Sequence, residues 1–389
     1  MNSIQQKKRH HFVPKAYLKA FANKDGQVLV YRKDNPGRAL PAKPDTTQFE
    51  RYYYSQPLPE GGQDNNTLED IFCEVESAWP ALVGRLARKE SINDEIDHFI
   101  QFVALQRARV PAARDAFEAA LAATVKETMK ALARNGKLPA PPPGFEDLLD
   151  KIDVSIDPHQ SIHAMPGLIN KIGELFDTVG LAIIHNTSNM PFLTSDNPVA
   201  WYDPSIPIES QNPYAISPDG PIAIQFPISP QMMLFGAKEY RERYCAEGLL
   251  HGEIPDVEWV RSVNTQTCRF GYGAVIAQEP GQEEMIQAHS ALSPVFDHSS
   301  LELGSRTLSM GRFVFGARVA KLKVGTSQRW IRLKSCSGRN RSEFLSLSTT
   351  ALSPRFGRGH LPAPGAERTS AAGATEARLS AGCSAAGAT

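Results

Sequence analysis

The residues best suited to chemistry lie near the start of the chain, where two adjacent histidines, His10 and His11, stand directly before an apolar segment. An imidazole can bind a metal ion or transfer a proton near neutral pH. Adjacent residues on an extended chain point to opposite sides, so we expect one of the two histidines to face inward. A solvated basic N-terminus is the alternative interpretation, because residues 7–9 are Lys, Lys and Arg.

Carboxylates and arginines further along the chain extend the set of candidates. Glu69 and Glu76 lie seven residues apart on the flank of one predicted helix, where carboxylates are usually solvated or paired with lysine. Arg107 falls within the apolar stripe of the next predicted helix, and a guanidinium buried there needs a partner. Arg109 lies off that stripe, but Pro111 can re-aim the last turn. The sequence therefore leaves open which arginine faces a site.

A third candidate is Asp196, in the stretch Thr-Ser-Asp-Asn-Pro that follows a predicted strand. Its carboxylate could bind a metal, accept a proton or pair with one of the two arginines. The same composition is also typical of an ordinary Asx turn, so both interpretations stay open. Ser195 is a weaker candidate for a nucleophile, because the chain has no Gly-x-Ser-x-Gly elbow around it.

Proline, glycine and the apolar periodicity place the elements that must position these residues. Pro14 disfavours helix at Val13 and suits the first turn of a short helix over residues 15–22. Alternating apolar residues after a turn predict a strand, and apolar residues at helical spacing predict core-facing helices. In the N-terminal half the sequence predicts strands at residues 27–32 and within 46–54, and helices at 67–86, 93–110, 112–135 and 146–152.

The C-terminal half is predicted to be richer in strands. We expect residues 179–185 and 191–194 to pair as a hairpin that delivers Asp196 at a strand end. The overall expectation is an α+β fold, in which a helical N-terminal half packs against a small mixed or antiparallel sheet from the C-terminal half. The remaining predicted elements are helices at 166–178 and 255–270, two strands within 223–235 and a strand at 273–278.

Length, charge and cysteine content exclude several classes of protein. The chain has 389 residues with 42 basic and 42 acidic side chains, so net charge does not support binding to nucleic acid, although a local basic patch could still form. Five scattered cysteines without a Cys-x-x-Cys pair argue against a disulfide framework and a cysteine zinc site. No apolar leader or membrane-length apolar run is present, which predicts a cytoplasmic protein without membrane contact.

A series of landmarks in a fixed order links the chain to a known family. The landmarks are His10-His11-Phe12-Val13-Pro14-x-x-Tyr17-Leu18-x-x-Phe21, then Leu68-Glu69 with Glu76, Gln106 to Pro111 with Arg109, residues 194–198, residues 226–230 and Asn264. With these residues the chain resembles the uncharacterised bacterial domain-of-unknown-function family 4238 over about residues 8–280. The resemblance singles out particular residues and implies no activity.

Composition divides the chain into three regions. Residues 1–280 are expected to form one α+β domain, and residues 281–334 a β-rich extension with strands near 310–322 and 328–333. From residue 335 the chain is rich in Ser, Ala, Gly, Pro and Arg, and one hexapeptide occurs at both 370–375 and 384–389. Such a segment buries too little apolar surface to offset its ordering entropy, which predicts disorder over 335–389.

Two functional hypotheses follow from these residues. The first is a metal-assisted hydrolase, acting on phosphodiesters, in which His10 or His11 is base or ligand, Asp196 and Glu76 supply carboxylates, and Arg109 stabilises developing charge. His11 and Asp196 are then the expected ligands of a divalent metal ion. The second is a non-enzymatic binding or interaction domain, in which the same polar residues form a structural network.

Overall fold

A computed structural model of the chain describes residues 6–145, 147–303 and 306–318. Residues 6–142 and 154–318 belong to one compact unit, and residues 143–145 and 147–153 belong to a second. The predicted strand at 328–333 and the predicted disorder after residue 335 lie outside the described residues. None of the helices in the described part of the chain combines the length and apolarity needed to cross a bilayer.

The helices are concentrated in the N-terminal half, as the α+β prediction required. Short 3-10 turns extend α1 at Lys19–Phe21 and precede α4 at Asn93–Glu95. The helices are α1 (Lys15–Leu18), α2 (Thr67–Ser77), α3 (Trp79–Ala87), α4 (Ile96–Arg109), α5 (Pro111–Arg134), α6 (Leu148–Lys151), α7 (Pro158–His163), α8 (Met165–Phe176), α9 (Arg241–Glu247), α10 (Val257–Phe270) and α11 (Glu283–His289).

The strands form two main sheets and three short pairs. The main sheets have the strand orders β12-β7-β11-β10-β9 and β3-β2-β13-β8, and the pairs are β1-β4, β5-β6 and β14-β15. The strands are β1 (Arg9–His11), β2 (Val28–Arg32), β3 (Ala39–Ala42), β4 (Phe49–Arg51), β5 (Gln56–Pro57), β6 (Gln63–Asp64), β7 (Gly180–Asn186), β8 (Thr194–Ser195), β9 (Ala200–Tyr202), β10 (Ala223–Ser229), β11 (Met232–Ala237), β12 (Leu250–Ile254), β13 (Ala274–Ala277), β14 (Ser293–Leu303) and β15 (Arg306–Gly316).

The predicted hairpin between residues 179–185 and 191–194 is wrong. Strand β7 pairs antiparallel with β11 and parallel with β12, whereas β8 pairs with β13 in the other sheet. The apolar run of β7 explains the difference, because it is buried on both faces and takes a neighbour along each edge. Leu181 and Ile183 pack in the core with α3, α4 and α8, and Ala182 and Ile184 pack with α10.

The predicted helix at 67–86 is two helices, α2 and α3, separated at Ala78. Pro80 lies in the first turn of α3, where its missing N–H is tolerated, whereas the interior of one long helix would lose a hydrogen bond there. The apolar stripe is therefore not continuous. Ile71, predicted on the buried stripe, is 48% exposed.

An aromatic core joins these helices to the five-stranded sheet. The ring of Trp79 stacks on Phe102 of α4 at 3.9 Å between centroids and meets Phe226 of β10 at 5.9 Å. Tyr17 stacks on Phe226, and its hydroxyl lies 2.6 Å from Thr194 Oγ1 and donates to the Pro227 carbonyl at 2.6 Å. The tyrosine of the N-terminal signature thus connects α1 to both main sheets.

The corner between α4 and α5 fixes the direction of the two arginines. Val110 is extended, with φ −70° and ψ 155°, because it precedes Pro111. Helix α4 consequently ends at Arg109 with its last turn regular. Residues two positions apart on an α-helix are rotated by about 200° around its axis, so Arg107 and Arg109 leave α4 on opposite sides. Both side chains are buried.

Candidate functional site

Four ionisable side chains from three elements lie close enough to share electrostatic interactions. His11 comes from β1, Glu69 and Glu76 from α2, and Arg109 from the last turn of α4. We refer to these four residues as the polar cluster. The charges of Glu76 and Arg109 both influence the pKa of His11, and both also influence the pKa of Glu69. Arg109 and Glu76 are therefore the shared centre of the cluster.

Arg109 lies at the base of the polar cluster, with its side chain 1% exposed. Its Nη1 donates to Glu76 Oε1 at 2.7 Å, and its Nη2 donates to Gln106 Oε1 at 3.3 Å. Its Cζ lies 5.4 Å from the centre of the Phe72 ring. Its third nitrogen, Nε, is buried without a hydrogen-bond partner. The guanidinium is thus paired with one carboxylate, and its Nε–H is unsatisfied.

Glu69 is a half-buried carboxyl group whose pKa is strongly perturbed. Burial raises its pKa to about 7; the negative charge of Glu76 acts in the same direction, and the positive charges of Arg109 and Lys7 oppose it. Its Oε1 is buried without a hydrogen-bond partner. A carboxyl group with a pKa close to the working pH can both give and take a proton. Glu69 therefore has the properties of a general acid or base.

His11 contributes a second group that can transfer protons. Its side chain is half-buried against Phe49, with the two ring centroids 5.4 Å apart. Burial lowers its pKa and the positive charges of Lys15 and Arg109 act in the same direction, whereas a hydrogen bond to the backbone of Asp45 and the charge of Glu76 oppose the shift. The imidazole is consequently neutral at pH 7 and able to accept a proton. Its Nε2 is buried without a hydrogen-bond partner.

His10 is placed differently from His11, since it is fully buried and both its ring nitrogens are used internally. Its Nδ1 accepts from the backbone N–H of Tyr54 at 2.9 Å, and its Nε2 donates to the Lys7 carbonyl at 3.2 Å. These partners fix the tautomer. The Tyr54 hydroxyl in turn donates to the Arg109 carbonyl at 2.9 Å. His10 therefore positions Tyr54 and the end of α4.

Asp196 is not brought to the polar cluster. Its Oδ1 accepts from the backbone N–H of Tyr272 at 2.7 Å and its Oδ2 from that of Gly273 at 2.6 Å. Burial raises its pKa, and these backbone hydrogen bonds oppose the rise. Both oxygens thus fasten the turn before β13. Across the described residues, no group of three or more His, Cys, Asp or Glu side chains could hold a metal ion.

The question of which arginine faces the cluster is settled by α4. Arg109 pairs with Glu76, whereas Arg107 lies over the rings of Tyr214 and Trp201 at 4.2 and 5.5 Å. In the sequence, Glu69 is a candidate carboxylate and a family landmark, but the hydrolase hypothesis uses only Glu76, because the burial that raises the pKa of Glu69 depends on distant parts of the chain. No periodicity pointed to Tyr54.

The surface beside His11 carries an excess of positive charge. Arg9 and Arg51 lie opposite each other in the β1-β4 pair, and both are exposed. Lys8 and Lys15 are exposed nearby in the chain. Glu50 alone opposes them on the two strands. Like charges facing each other repel, so this surface favours an anionic ligand.

Comparisons with known proteins identify a family and nothing closer. A family model described as "Protein of unknown function (DUF4238)" matches residues 9–280. Neither the curated proteins nor the solved structures contain a match to the chain.

Proposed function

The chain belongs to this DUF4238 family of proteins of unknown function, and from the polar cluster we propose that it is a hydrolase of phosphodiesters that works by proton transfer. One observation carries the proposal. His11 Nε2, Glu69 Oε1 and Arg109 Nε are all buried without hydrogen-bond partners, and they belong to one electrostatically coupled cluster. Buried polar atoms are nearly always satisfied, so atoms left free together are those that a bound ligand would satisfy.

The three groups suit the two proton transfers of hydrolysis. Neutral His11 takes a proton from water as the water oxygen forms a bond to phosphorus. Protonated Glu69 gives its proton to the leaving oxygen as the bond between that oxygen and phosphorus breaks. Arg109 stabilises the negative charge that develops on the phosphoryl oxygens, and Glu76 holds its guanidinium in place. The products are an alcohol and a phosphomonoester.

A phosphodiester is the substrate class that the charges favour. The exposed cations at Lys8, Arg9, Lys15 and Arg51 surround the strand that carries His11, and an anionic backbone would gain from each of them. The whole chain has no net charge, so this attraction is local to the site. The proposal assigns no metal ligand, because Asp196 and His11 do not converge.

The first test is hydrolysis by the full chain. We expect turnover of bis(4-nitrophenyl) phosphate and of single-stranded oligonucleotides, unchanged by a chelator of divalent metals. Removing one proton-transfer group, in His11→Gln or Glu69→Gln, should slow the reaction by about 10²–10⁴-fold. His98→Gln and Glu74→Gln are matched controls, since both side chains are exposed. Full activity in either site variant would exclude the assigned roles.

A binding domain with a structural polar network is the second candidate, and one observation favours it. Two of the donors of Arg109 are already paired, with Glu76 and Gln106. In that case the wild type turns over no phosphodiester. The only effect of Arg109→Met would then be a lower free energy of unfolding, because it leaves the Glu76 carboxylate without its partner.

A further inference from the structure

The second arginine of α4 has an environment that differs from that of Arg109. Arg107 is 3% exposed, and its Nε and Nη1 are buried without hydrogen-bond partners. Its Cζ lies 4.2 Å from the centre of the Tyr214 ring and 5.5 Å from that of Trp201. Burial lowers its pKa. In the described part of the chain no carboxylate forms an ion pair with this guanidinium.

Aromatic rings alone do not satisfy such a group. A ring attracts the face of a guanidinium, whereas the N–H donors point outward in its plane. The donors therefore stay unbonded even with Tyr214 and Trp201 in contact. A buried charge in this state is unfavourable unless something supplies acceptors for its donors.

Asn197 adds a third unsatisfied atom, this time an acceptor, beside the same tyrosine. Its Nδ2 donates to the Tyr214 hydroxyl at 2.6 Å and to the Phe270 carbonyl at 2.8 Å. The carbonyl partner fixes which end of the amide is nitrogen. Its Oδ1 is then an acceptor, and it is buried without a partner. The Tyr214 hydroxyl accepts from Asn197 and keeps its own proton for another acceptor.

The backbone of Tyr214 is strained. Its φ is +58°, in the left-handed region that a bulky side chain rarely adopts. The ring is held there by edge contacts with Phe270 and Phe313, at 5.2 and 5.1 Å between centroids. Strain of this kind persists where the surrounding structure over-determines it, and it is common at ligand-binding sites.

We propose that Arg107, Asn197 and Tyr214 form a binding pocket for an oxyanion, the carboxylate or phosphate group of a small ligand. Oxygen atoms of the anion accept from Arg107 and from the Tyr214 hydroxyl. A hydroxyl on the ligand, such as the one that monohydrogen phosphate carries, donates to Asn197 Oδ1. The pocket is independent of the proposed hydrolytic site, because Arg107 and Arg109 leave α4 on opposite sides.

Thermal unfolding of the full chain tests this assignment. Sodium phosphate and sodium acetate are each compared with sodium chloride at equal ionic strength. We expect phosphate, acetate or both to raise Tm above the chloride value, and the stronger of the two identifies the class of oxyanion. The rise should be smaller in Arg107→Met than in the wild type, and undiminished in Arg261→Met, which removes an exposed arginine; exclusion of these anions from the protein surface acts on all three proteins alike. Equal Tm values in all three salts, or a rise in Arg107→Met as large as in the wild type, would overturn the proposal.

Two further measurements separate binding from a structural role of the cation. In chloride, Arg107→Met should unfold at the same temperature as the wild type or higher, because an apolar side chain replaces an unpaired charge. A clear fall in the Tm of Arg107→Met in chloride would show that Arg107 stabilises the fold through its contacts with the rings and would count against an anion-binding role. Arg107→Lys keeps the charge and loses the planar donors, so titration calorimetry should show phosphate or acetate binding weakened about tenfold or more. Unchanged affinity in Arg107→Lys would also overturn the proposal.

Discussion

The raised pKa of Glu69 makes the stability of the protein depend on pH in a way that one substitution removes. The folded state favours the protonated carboxyl group, because burial raises the pKa from 4.5 to about 7. The contribution of this group to the free energy of unfolding is therefore fully present below about pH 4.5 and is lost as the pH rises through about 7. Glu69→Gln removes the titration while keeping the size and polarity of the side chain.

The magnitude follows from the same pKa. At about 1.4 kcal/mol for each pH unit, a rise from 4.5 to about 7 corresponds to at most about 3.5 kcal/mol. Solvent reaches part of this half-buried side chain, so about 1–3 kcal/mol is the expected difference. Glu69→Gln should thus have nearly the wild-type free energy of unfolding at about pH 4.5 and exceed it by that amount at about pH 8.5.

Urea unfolding at several pH values between those limits measures the difference directly. Other groups titrate over the same range, but those outside the polar cluster contribute equally to both proteins and cancel in the comparison. Glu74→Gln is the matched control, because Glu74 is an exposed carboxylate on the same helix, and its difference from wild type should not vary with pH. A difference between Glu69→Gln and wild type that stays constant with pH would refute the burial argument.

Three further predictions concern the rest of the fold. Tyr17→Phe removes the hydroxyl that bonds Thr194 and the sheet backbone, and should lower the free energy of urea unfolding by about 1–3 kcal/mol; no change would contradict the buried bonds. Burial lowers the pKa of both His185 and His251, and His185 Nε2 lies 3.0 Å from His251 Nδ1. The free energy of unfolding should therefore fall as the pH drops below about 6.5, and fall less in His251→Gln than in the wild type. Parallel pH profiles of the two proteins would contradict this. Asp196→Ala leaves one buried and one half-buried N–H group unbonded and should lower the free energy of urea unfolding by about 3 kcal/mol. Phosphodiester turnover per folded molecule should be unchanged, and a loss of turnover would show that Asp196 belongs to the site after all.

Local signals in the sequence predicted the elements well where proline or periodicity decides them. Pro111 ends α4 and begins α5, and the apolar alternation at 27–32 gives β2. The pairing of strands was not predictable in the same way. The run at 179–185 is apolar on both faces, so its sequence carries no information about which strands lie on either side. Only the tertiary structure places β7 between β11 and β12.

The site was predictable in part, for a related reason. The signature residues did direct attention to His11, Glu76 and Arg109, which converge in the structure. The raised pKa of Glu69 comes from burial by the fold, against the opposing charges of Arg109 and Lys7, and neither the burial nor these two contacts can be read from the local sequence. A turn composition around Asp196 fitted either a site or a structural role. Only the tertiary structure shows that both of its oxygens accept hydrogen bonds from backbone N–H groups.

The pH dependence of phosphodiester hydrolysis tests the proposed mechanism most directly. With neutral His11 as base and protonated Glu69 as acid, kcat/KM of the wild type should rise as His11 loses its proton below about pH 6.5 and fall as Glu69 ionises near about pH 7. The residual activity of Glu69→Gln should lack the fall at alkaline pH. A wild type without hydrolytic activity, or an alkaline fall that persists in Glu69→Gln, would contradict the account.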